Sequence, residues 1–383
     1  MLLAAARSRL LTRCLAGLAA VLSAAVALPV QAAKPSAPRP AKPAAARADN
    51  APDVVVYGHR DDVVAFAREA AERQGFEADW AIAQLAQARY QPSVARLVMP
   101  PPAGVAKNWA AYRARFVEPQ RIREGLRFWQ DNEAWLARAE ARWGVPPDIV
   151  VAIVGVETFY GRVMGHYKVI DALATLSFDF PTGRSDRSSF YRGELESFLR
   201  WCASEGRDPQ TVKGSYAGAV GLPQFMPGSV LKYAIDFDDD GRIDLDNSGA
   251  DVVGSVAHYF AQFGWQRDLP THYPVTPPEE TRERALLLAP DILPTFTAAQ
   301  LAEHGAGLDA TARAHEGPLA LVLLQNGDDA PTYVAGTRNF YTVTRYNWSS
   351  YYAMAVIELA RAMRATRPPR ALPAAALPAA PGQ

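Results

Sequence analysis

Residues 148 to 161 read DIVVAIVGVETFYG, and this stretch decides the fold prediction. Every position from Ile149 to Val156 is apolar or glycine, so a helix built from it has no polar face and is expected to be buried on most sides. Pro147 suits the first turn of such a helix, and Gly161 is suited to end it. The stretch therefore predicts a buried helix that carries Glu157 near its C-terminal end.

The chemistry expected of Glu157 follows from this position. A carboxyl group there loses much of its hydration unless a cation pairs with it, and loss of hydration raises its pKa. A carboxyl group that stays protonated near neutral pH is what a general acid needs to protonate a glycosidic oxygen. Glutamates at helix ends also form ordinary ion pairs, and Arg162 is a candidate partner. From the helix alone, a catalytic acid and half of an ion pair are both open interpretations.

Three further stretches give this helix a context. The sequence GVETFYG at 155–161 is followed by ALATLSF at 172–178, by GSYAGAVGLPQFMP at 214–227, and by NFYTVTRYN at 339–347. In this order and spacing they resemble the membrane-bound lytic transglycosylase B family, glycan-cleaving enzymes with a lysozyme-like catalytic core. Four matches spread over about half of the chain are far more specific than any single motif.

The resemblance implies a lytic transglycosylase, which is a carbon–oxygen lyase acting on peptidoglycan strands. Such an enzyme cleaves the β-1,4 bond between N-acetylmuramic acid and N-acetylglucosamine without water and leaves 1,6-anhydro-N-acetylmuramic acid ends. Position by position, the resemblance implies that Glu157 is the catalytic acid and base. It also implies that five residues line the sugar-binding groove: Ser215, Gln224, Tyr259, Tyr341 and Arg345.

Each of these five positions also has a purely structural interpretation. Ser215 and Gln224 flank a glycine-rich stretch and can satisfy backbone groups in a tight turn. Tyr259 can be an ordinary core aromatic residue, whereas Tyr341 and Arg345 can pack and pair where the C-terminal segment meets the core. Hydroxyl groups, amides and aromatic faces are nevertheless the groups that orient sugars and stack on them.

Two alternatives to the transglycosylase stay open at this point. A muramidase-type glycoside hydrolase on the same fold needs a second carboxylate opposite the first, and Asp171, Asp179 and Asp186 are near enough in sequence. A non-catalytic peptidoglycan-binding scaffold is the other alternative, although an idle buried carboxylate at Glu157 only costs stability. Serine nucleophile chemistry finds no motif, because Ser215 lacks a Gly-x-Ser-x-Gly frame.

Residues 236 to 244 read DFDDDGRID, which reproduces the first nine positions of an EF-hand calcium loop. The twelfth position departs from that pattern, because Asn247 stands where a bidentate glutamate is expected. The resembled family closes a longer loop with a later aspartate, and Asp251 is its counterpart here. A solvated acidic turn without an ion is the alternative. We predict a structural Ca²⁺ bound by Asp236, Asp238, Asp240, Asp251 and the backbone carbonyl of Arg242.

The N-terminal end predicts export. Arg7, Arg9 and Arg13 precede an apolar run at 14–30, which is the layout of a secretory signal peptide, although a run of this length also fits an uncleaved anchor. Cys14 stands before the run instead of after it, so no lipoprotein anchor is expected, and the periplasm is the expected location. Forty basic residues balance forty acidic ones, which gives no electrostatic footprint for nucleic acid.

Helical periodicity dominates the chain, so the fold class is expected to be mainly α within α+β, with a lysozyme-like core. Proline-rich segments and short apolar runs between 266 and 335 indicate a small mixed domain inserted there. We expect a monomer, with cell-wall synthesis or remodelling proteins as further partners. The predicted order is a signal peptide (1–32), an Ala/Pro-rich linker (33–55), a helical domain (56–144), the catalytic core with the calcium loop (145–265), a mixed side domain (266–335), a C-terminal segment packing on the core and helical domain (336–365) and a disordered tail (366–383).

Overall fold

A computed structural model describes residues 57–58, 60–100 and 106–367. Within these residues the chain forms sixteen helices and two small sheets, which confirms the mainly helical fold class with a minor β component. The predicted signal peptide and linker, and nearly all of the predicted tail, lie outside the described residues. No helix in the described ranges is both long and apolar enough to cross a membrane.

Six helices form the N-terminal part. The stretch from Ile122 to Trp143 is divided into two helices at Asn132. The backbone of Asn132 leaves the helical region, and its side chain donates to the carbonyl of Phe128 at 2.9 Å. The six helices are α1 (Asp61–Gln74), α2 (Ala78–Ala86), α3 (Pro92–Leu97), α4 (Trp109–Ala114), α5 (Pro119–Asp131) and α6 (Glu133–Trp143).

Helix α7 (Pro147–Thr158) is the predicted buried helix, and every residue from Asp148 to Val156 is buried. The prediction that Gly161 ends this helix is wrong. The helix ends at Thr158, and Phe159 adopts the left-handed conformation with φ of 52°. Tyr160 is also left-handed, and its ring fills the space beside Gly155, so that the chain turns away before it reaches Gly161.

The rest of the core surrounds α7. Helix α9 packs against α8 and α10, while α11 packs against α6 and α7. A two-residue antiparallel ladder, β1 with β2, joins the segment after α7 to the glycine-rich stretch. These elements are β1 (Tyr167–Lys168), α8 (Val169–Phe178), α9 (Ser188–Glu205), β2 (Lys213–Gly214), α10 (Pro227–Tyr233) and α11 (Gly249–Gln262).

The next segment forms an antiparallel sheet with the strand order β4-β3-β6-β5. Strands β5 and β6 make a hairpin in which Leu321 is opposite Ala335 and Val322 is opposite Val334. Alternate residues of β5 point to two different cores, because Leu321 joins a small local cluster and Val322 joins the main core. The elements are β3 (His272–Thr276), α12 (Thr281–Leu288), α13 (Ala298–Glu303), β4 (Gly307–Leu308), α14 (Ala310–Arg313), β5 (Ala320–Asn326) and β6 (Asp329–Gly336).

Two C-terminal helices return to the core. Helix α15 (Arg338–Tyr346) begins at the N-cap Thr337, and α16 (Ser350–Thr366) begins at the N-cap Ser349. Helix α16 packs against α7 and also contacts α4 and α5, so it joins the C-terminal segment to both the core and the N-terminal helices. This packing brings residues near the end of the chain to the C-terminal end of α7.

Candidate active site and calcium loop

Glu157 lies in the last turn of α7, half-buried at the floor of a cleft. The hydroxyl group of Tyr352, at the start of α16, donates a hydrogen bond to its Oε1 at 2.5 Å. Loss of hydration raises the pKa of Glu157 from 4.5 to about 8, and the hydrogen bond from Tyr352 opposes this only in part. The ion-pair interpretation is wrong, because Arg162 pairs with Glu124 at 2.8 Å.

Two buried tyrosines form the wall behind Glu157. Tyr352 and Tyr346 stack with their ring centres 6.4 Å apart. Burial and the nearby Glu157 raise the pKa of both phenols well above the ordinary value, so both remain protonated hydrogen-bond donors. Tyr346 uses its hydroxyl group on the carbonyl of Pro223 at 2.5 Å, which ties α15 to the end of the glycine-rich stretch.

Four of the six predicted active-site residues line the cleft: Glu157, Gln224, Tyr259 and Arg345. Gln224 has a left-handed backbone, with φ of 52°, and its amide donates to the carbonyl of Gly221 at 2.9 Å. The hydroxyl group of Tyr259 donates to the backbone carbonyl of Arg345 at 2.6 Å. Tyr259 therefore presents its ring to the cleft, while its hydroxyl group is engaged within the protein.

Ser215 and Tyr341 do not belong to the cleft lining. Ser215 Oγ accepts hydrogen bonds from the backbone N–H groups of Ala217 and Ala219, at 3.3 and 3.0 Å, as expected of a serine that stabilises a tight turn. The ring centre of Tyr341 lies 5.9 Å from that of Trp348, which is a lining residue. Its hydroxyl group is 3.4 Å from Nη1 of Arg345, so Tyr341 supports a lining residue.

The three aspartates considered as a second catalytic carboxylate are engaged elsewhere. Asp171 is buried and accepts hydrogen bonds from the backbone of Arg89 and the side chain of Gln91. Asp179 pairs with Arg60 at 2.8 Å. Asp186 accepts hydrogen bonds from the backbone N–H and the hydroxyl group of Ser188, two residues further along the chain.

Glu194 on α9 is a second carboxyl group of the cleft lining, and the sequence analysis did not identify it. Its Oε2 accepts a hydrogen bond from the backbone N–H of Gly228, in the first turn of α10, at 2.7 Å. Burial raises its pKa. Glu194 therefore holds the wall of the cleft at the start of α10.

The acidic loop between α10 and α11 gathers three carboxylates. One oxygen from each of Asp236, Asp238 and Asp251 lies within 4.8 Å of the others. Asp238 Oδ1 is buried without a hydrogen-bond partner, whereas both Asp251 oxygens accept backbone N–H groups, from Phe237 and Asp244 at 2.8 Å. Converging carboxylates with one orphaned oxygen fit the hard, oxygen-preferring cation Ca²⁺.

Two other predicted calcium ligands lie outside this group. Asp240 is half exposed, and its Oδ1 accepts the backbone N–H of Arg242 at 2.9 Å. The side chain of Arg242 is exposed and lies 4.0 Å from Asp240. Asp251, in the first turn of α11, belongs to the three-carboxylate group, whereas the side chain of Asn247 bonds to Asp244.

Comparison with known proteins decides the family. Residues 58–361 match the family described as the transglycosylase SLT domain. The chain is 37% identical over 323 residues to the membrane-bound lytic murein transglycosylase B of Escherichia coli K12, covering 81% of this chain and 85% of that protein. The chain belongs to the SLT transglycosylase family.

Solved structures of SLT transglycosylases share the fold. The catenated lytic transglycosylase SltB1 of Pseudomonas aeruginosa superimposes with a TM-score of 0.73 at 36% identity, covering 81% of this chain and 99% of that one. The Escherichia coli lytic transglycosylase Slt35, solved in complex with calcium, gives a TM-score of 0.69 at 37% identity, with coverage of 80% and 94%. The resemblance inferred from the four sequence stretches is thereby confirmed, together with the lysozyme-like fold.

Several residues in and around the cleft of this SLT transglycosylase were not predicted from the sequence. Tyr346 lies within the stretch 339–347, so the resemblance could have identified it. Tyr352 is 195 residues from Glu157, and no local pattern connects the two positions. The remaining missed residues come mainly from α9, α10 and the α15–α16 turn: Arg187, Phe190, Tyr191, Glu194, Lys232, Tyr233 and Trp348.

Proposed function

We propose that this SLT transglycosylase is a lytic murein transglycosylase in which Glu157 alone acts as acid and base. The state of its carboxyl group carries the proposal. It faces the cleft, burial removes much of its hydration, and a pKa of about 8 keeps it mainly protonated at neutral pH. The family supports the reaction class, a lyase acting on a polysaccharide.

The reaction proceeds in two proton transfers. Protonated Glu157 donates to the oxygen that joins N-acetylmuramic acid to N-acetylglucosamine, and the bond from C1 of the muramic acid to this oxygen breaks. The acetamido group of the substrate stabilises the developing positive charge at C1. Ionised Glu157 then takes the proton of the C6 hydroxyl group, whose oxygen bonds to C1 and closes the 1,6-anhydro ring. No water is consumed, and Glu157 ends protonated.

Tyr352 supports the second half of this cycle. Its hydroxyl group donates to Oε1 at 2.5 Å, and a donated hydrogen bond stabilises the ionised form of a carboxyl group. The carboxylate left after the first proton transfer is thus held in place until it accepts the C6 proton. Desolvation raises the pKa of Glu157, and the hydrogen bond from Tyr352 lowers it in part. The carboxyl group can therefore first donate a proton and then accept one.

The cleft residues are assigned roles by their contacts. Arg345 Cζ lies 5.2 Å from the ring centre of Trp348, and both line the cleft, which supports a sugar-binding face there. Tyr259 contributes its ring, and Gln224 contributes its amide oxygen, because its amide nitrogen is engaged. Ser215 acts through the turn that it stabilises, and Tyr341 acts through Arg345.

The proposal includes a calcium ion and an export route. Asp236, Asp238 and Asp251 would hold Ca²⁺ in a structural role, since the loop joins α10 of the cleft wall to α11, which carries Tyr259. A complex of the similar Slt35 with calcium supports this assignment. The periplasm is the proposed location because peptidoglycan is the proposed substrate and the N-terminal sequence has the layout of an export signal.

Mass spectrometry of the products released from peptidoglycan sacculi tests the function. The wild-type protein is expected to release muropeptides ending in 1,6-anhydro-N-acetylmuramic acid, one water lighter than hydrolytic products. Glu157→Gln should release none, while Glu194→Gln should retain the anhydro products, because its amide oxygen still accepts the Gly228 N–H. Reducing ends from the wild type would establish a hydrolase instead, and no products from folded protein would favour a binding scaffold.

A further inference from the structure

Arg121 on α5 is a partly buried cation whose positive charge is only partly compensated, by Glu118, within the described residues. Its guanidinium carbon lies 4.6 Å from the ring centre of Phe159 and 5.2 Å from that of Phe116. Nη1 donates to the carbonyl of Arg115 at 2.5 Å, and the buried Nε has no hydrogen-bond partner. The nearby Glu118 uses both carboxylate oxygens on the backbone N–H groups at the start of α5.

Such an arrangement costs stability within the protein alone. Burial lowers the pKa of Arg121, which shows that its environment disfavours the charged form. Aromatic rings recover part of this cost, but a buried cation is fully compensated only by an anion. A guanidinium group is a planar, fork-shaped donor that matches a carboxylate. The site is therefore suited to a carboxylate from outside the described chain.

A second guanidinium group approaches the same ring. Arg162 Cζ lies 5.4 Å from the ring centre of Phe159, and its side chain is half exposed and paired with Glu124. Phe159 itself has φ of 52°, a conformation that is uncommon and strained for a bulky residue. The structure thus holds this ring, two residues after Glu157, in a strained position between two arginines.

Tyr112 connects the arginine cluster to the catalytic residue. Its ring centre is 5.1 Å from that of Phe116. Burial raises the pKa of Tyr112 to about 12; the charge of Arg115 opposes this rise and the charge of Glu157 adds to it. Neither Phe116 nor Arg121 lines the cleft described above; solvent reaches the cluster at Phe159, which is half-buried, and at Arg162, which is exposed.

We propose that Arg121, Arg162 and Phe159 form a carboxylate-binding subsite for the murein substrate. The inference rests on the proposed function, because it assigns the ligand from the chemistry of that substrate. Murein carries carboxylates in two places: on its peptide stems, and on the lactyl group of muramic acid when the peptide is removed. Neutral sugar hydroxyl groups cannot neutralise Arg121, so the subsite distinguishes charged from uncharged strands.

Cleavage rates on three forms of one glycan strand test the subsite. The first form carries peptide stems, the second has been stripped of peptides and carries only lactyl carboxylates, and the third has these carboxylates converted to neutral methylamides. Arg121→Met keeps the side-chain volume between the two rings and removes the charge. We expect kcat/KM of this variant to fall about tenfold on a charged form, the size of one lost charge-assisted contact, and less than twofold on the neutral form.

The two charged forms distinguish the sources of the carboxylate. A loss confined to peptide-bearing strands assigns the subsite to the stem, and a loss confined to stripped strands assigns it to the lactyl group. An equal loss on both charged forms shows that the subsite accepts either carboxylate. Equal losses on all three forms, or no loss on any, would overturn the inference. Arg123→Met on the exposed face of the same helix is the matched control and should change no rate.

A second variant distinguishes a folding defect from the loss of the positive charge. If Arg121→Met unfolds at lower temperature than the wild type, Arg121→Lys keeps the charge and should retain part of the preference for charged strands. Failure of the proposed function is recognised separately, because the wild type would then yield no anhydro products from any form of the strand.

Discussion

At the scale of single residues, the environment of one carboxyl group determines the chemistry. Glu157 is desolvated by the apolar residues of its own helix, and its hydrogen bond comes from Tyr352 on another helix. Desolvation favours the protonated acid, and the tyrosine favours the carboxylate. A group that must donate a proton and then accept one benefits from a balance of this kind.

Removing the hydroxyl group of Tyr352 tests this balance. Without the donated hydrogen bond, the pKa of Glu157 should rise above about 8, since that bond lowers it. In Tyr352→Phe, the basic limb of the kcat profile should therefore move to higher pH, and kcat should fall about tenfold or more because the carboxylate loses its stabilising donor. The measurement is kcat for anhydro-product release between pH 5 and 10.

Tyr351→Phe is the matched control for this experiment. Tyr351 is adjacent in sequence, but its hydroxyl group bonds to the backbone of Gln325, away from Glu157. Its removal should leave the basic limb in place. An unchanged limb in Tyr352→Phe, or an equal shift in both variants, would show that the hydrogen bond to Glu157 does not set its pKa.

The raised pKa of Glu157 also predicts a cost in stability. The unfolded chain loses this proton near pH 4.5, and the folded protein keeps it to about pH 8. Between these values the wild type should lose up to about 1.4 kcal/mol of unfolding free energy per pH unit relative to Glu157→Gln, which has no proton to lose. Above pH 8 the difference should level off. Urea unfolding of both proteins at pH 5, 6, 7, 8 and 9 measures it, and parallel curves would contradict it.

The sequence could predict part of this site and not the rest. Glu157 could be predicted because the helix that precedes it is uniformly apolar, and this is a local pattern in the sequence. Gln224 and Arg345 could be predicted only from the resemblance to the transglycosylase family. Tyr352 and Glu194 were not, because their roles arise from the packing of α16 against α7 and of α9 against α10, which no short-range pattern specifies.

At the scale of elements, the end of α7 is set by a close contact. A Cβ added to Gly155 would meet the hydroxyl group and ring of Tyr160, and one added to Gly125 on α5 would meet the same hydroxyl group. The two glycines make a notch that receives this ring. Because Tyr160 must reach back to the notch, the backbone becomes left-handed at Phe159 and Tyr160, and the helix ends before Gly161. The sequence offered a glycine as the end of the helix, whereas tertiary packing determined the observed end.

Filling this notch should be destabilising. Gly155→Ala improves helix propensity by up to about 1 kcal/mol, but it displaces the Tyr160 ring, and overpacking typically costs about 1–3 kcal/mol. We expect a net loss of unfolding free energy and a lower kcat, since Glu157 is two residues away. Urea unfolding and product release measure the two effects.

Gly193→Ala on α9 supplies the control for the notch. Gly193 is exposed, and a Cβ there would meet no atom within 4 Å. The same substitution should therefore raise the unfolding free energy by up to about 1 kcal/mol through helix propensity alone. If both variants were stabilised equally, the close contact with Tyr160 would not govern the end of α7.

At the scale of the whole molecule, the side sheet is built into the main core. Strand β5 is one of the short apolar runs between 266 and 335 from which a mixed domain was predicted. The sequence could not show that β5 is buried on both faces, with Leu321 facing the local cluster and Val322 facing the main core. A continuous apolar run carries no alternation, so it identifies a buried strand without identifying its neighbours.

The calcium loop connects several parts of the molecule. Asp251 lies in the first turn of α11, which packs against α6 and α7, and Arg138 on α6 donates to the carbonyl of Phe237 in the loop at 2.7 Å. An ion that joined Asp236 and Asp238 to Asp251 would fix the loop to the N-terminal end of α11. Stabilisation of the loop should therefore appear in the unfolding of the whole protein.

Calcium should raise the melting temperature through this loop. A ligand that binds only the folded state adds about 2.7 kcal/mol at a concentration one hundred times its Kd, which corresponds to about 3–4 °C for a chain of this size. Asp238→Asn removes the carboxylate with the orphaned oxygen and should abolish the rise. It should also melt no lower than the wild type in EDTA, because the remaining carboxylates repel each other less.

Asp239→Asn carries the same change in charge at an exposed side chain outside the three-carboxylate group, and it should keep the rise. Differential scanning calorimetry of the three proteins, in EDTA and in calcium, makes the comparison. A calcium-induced rise that is absent from the wild type, or equally lost in both variants, would contradict a site built from Asp236, Asp238 and Asp251.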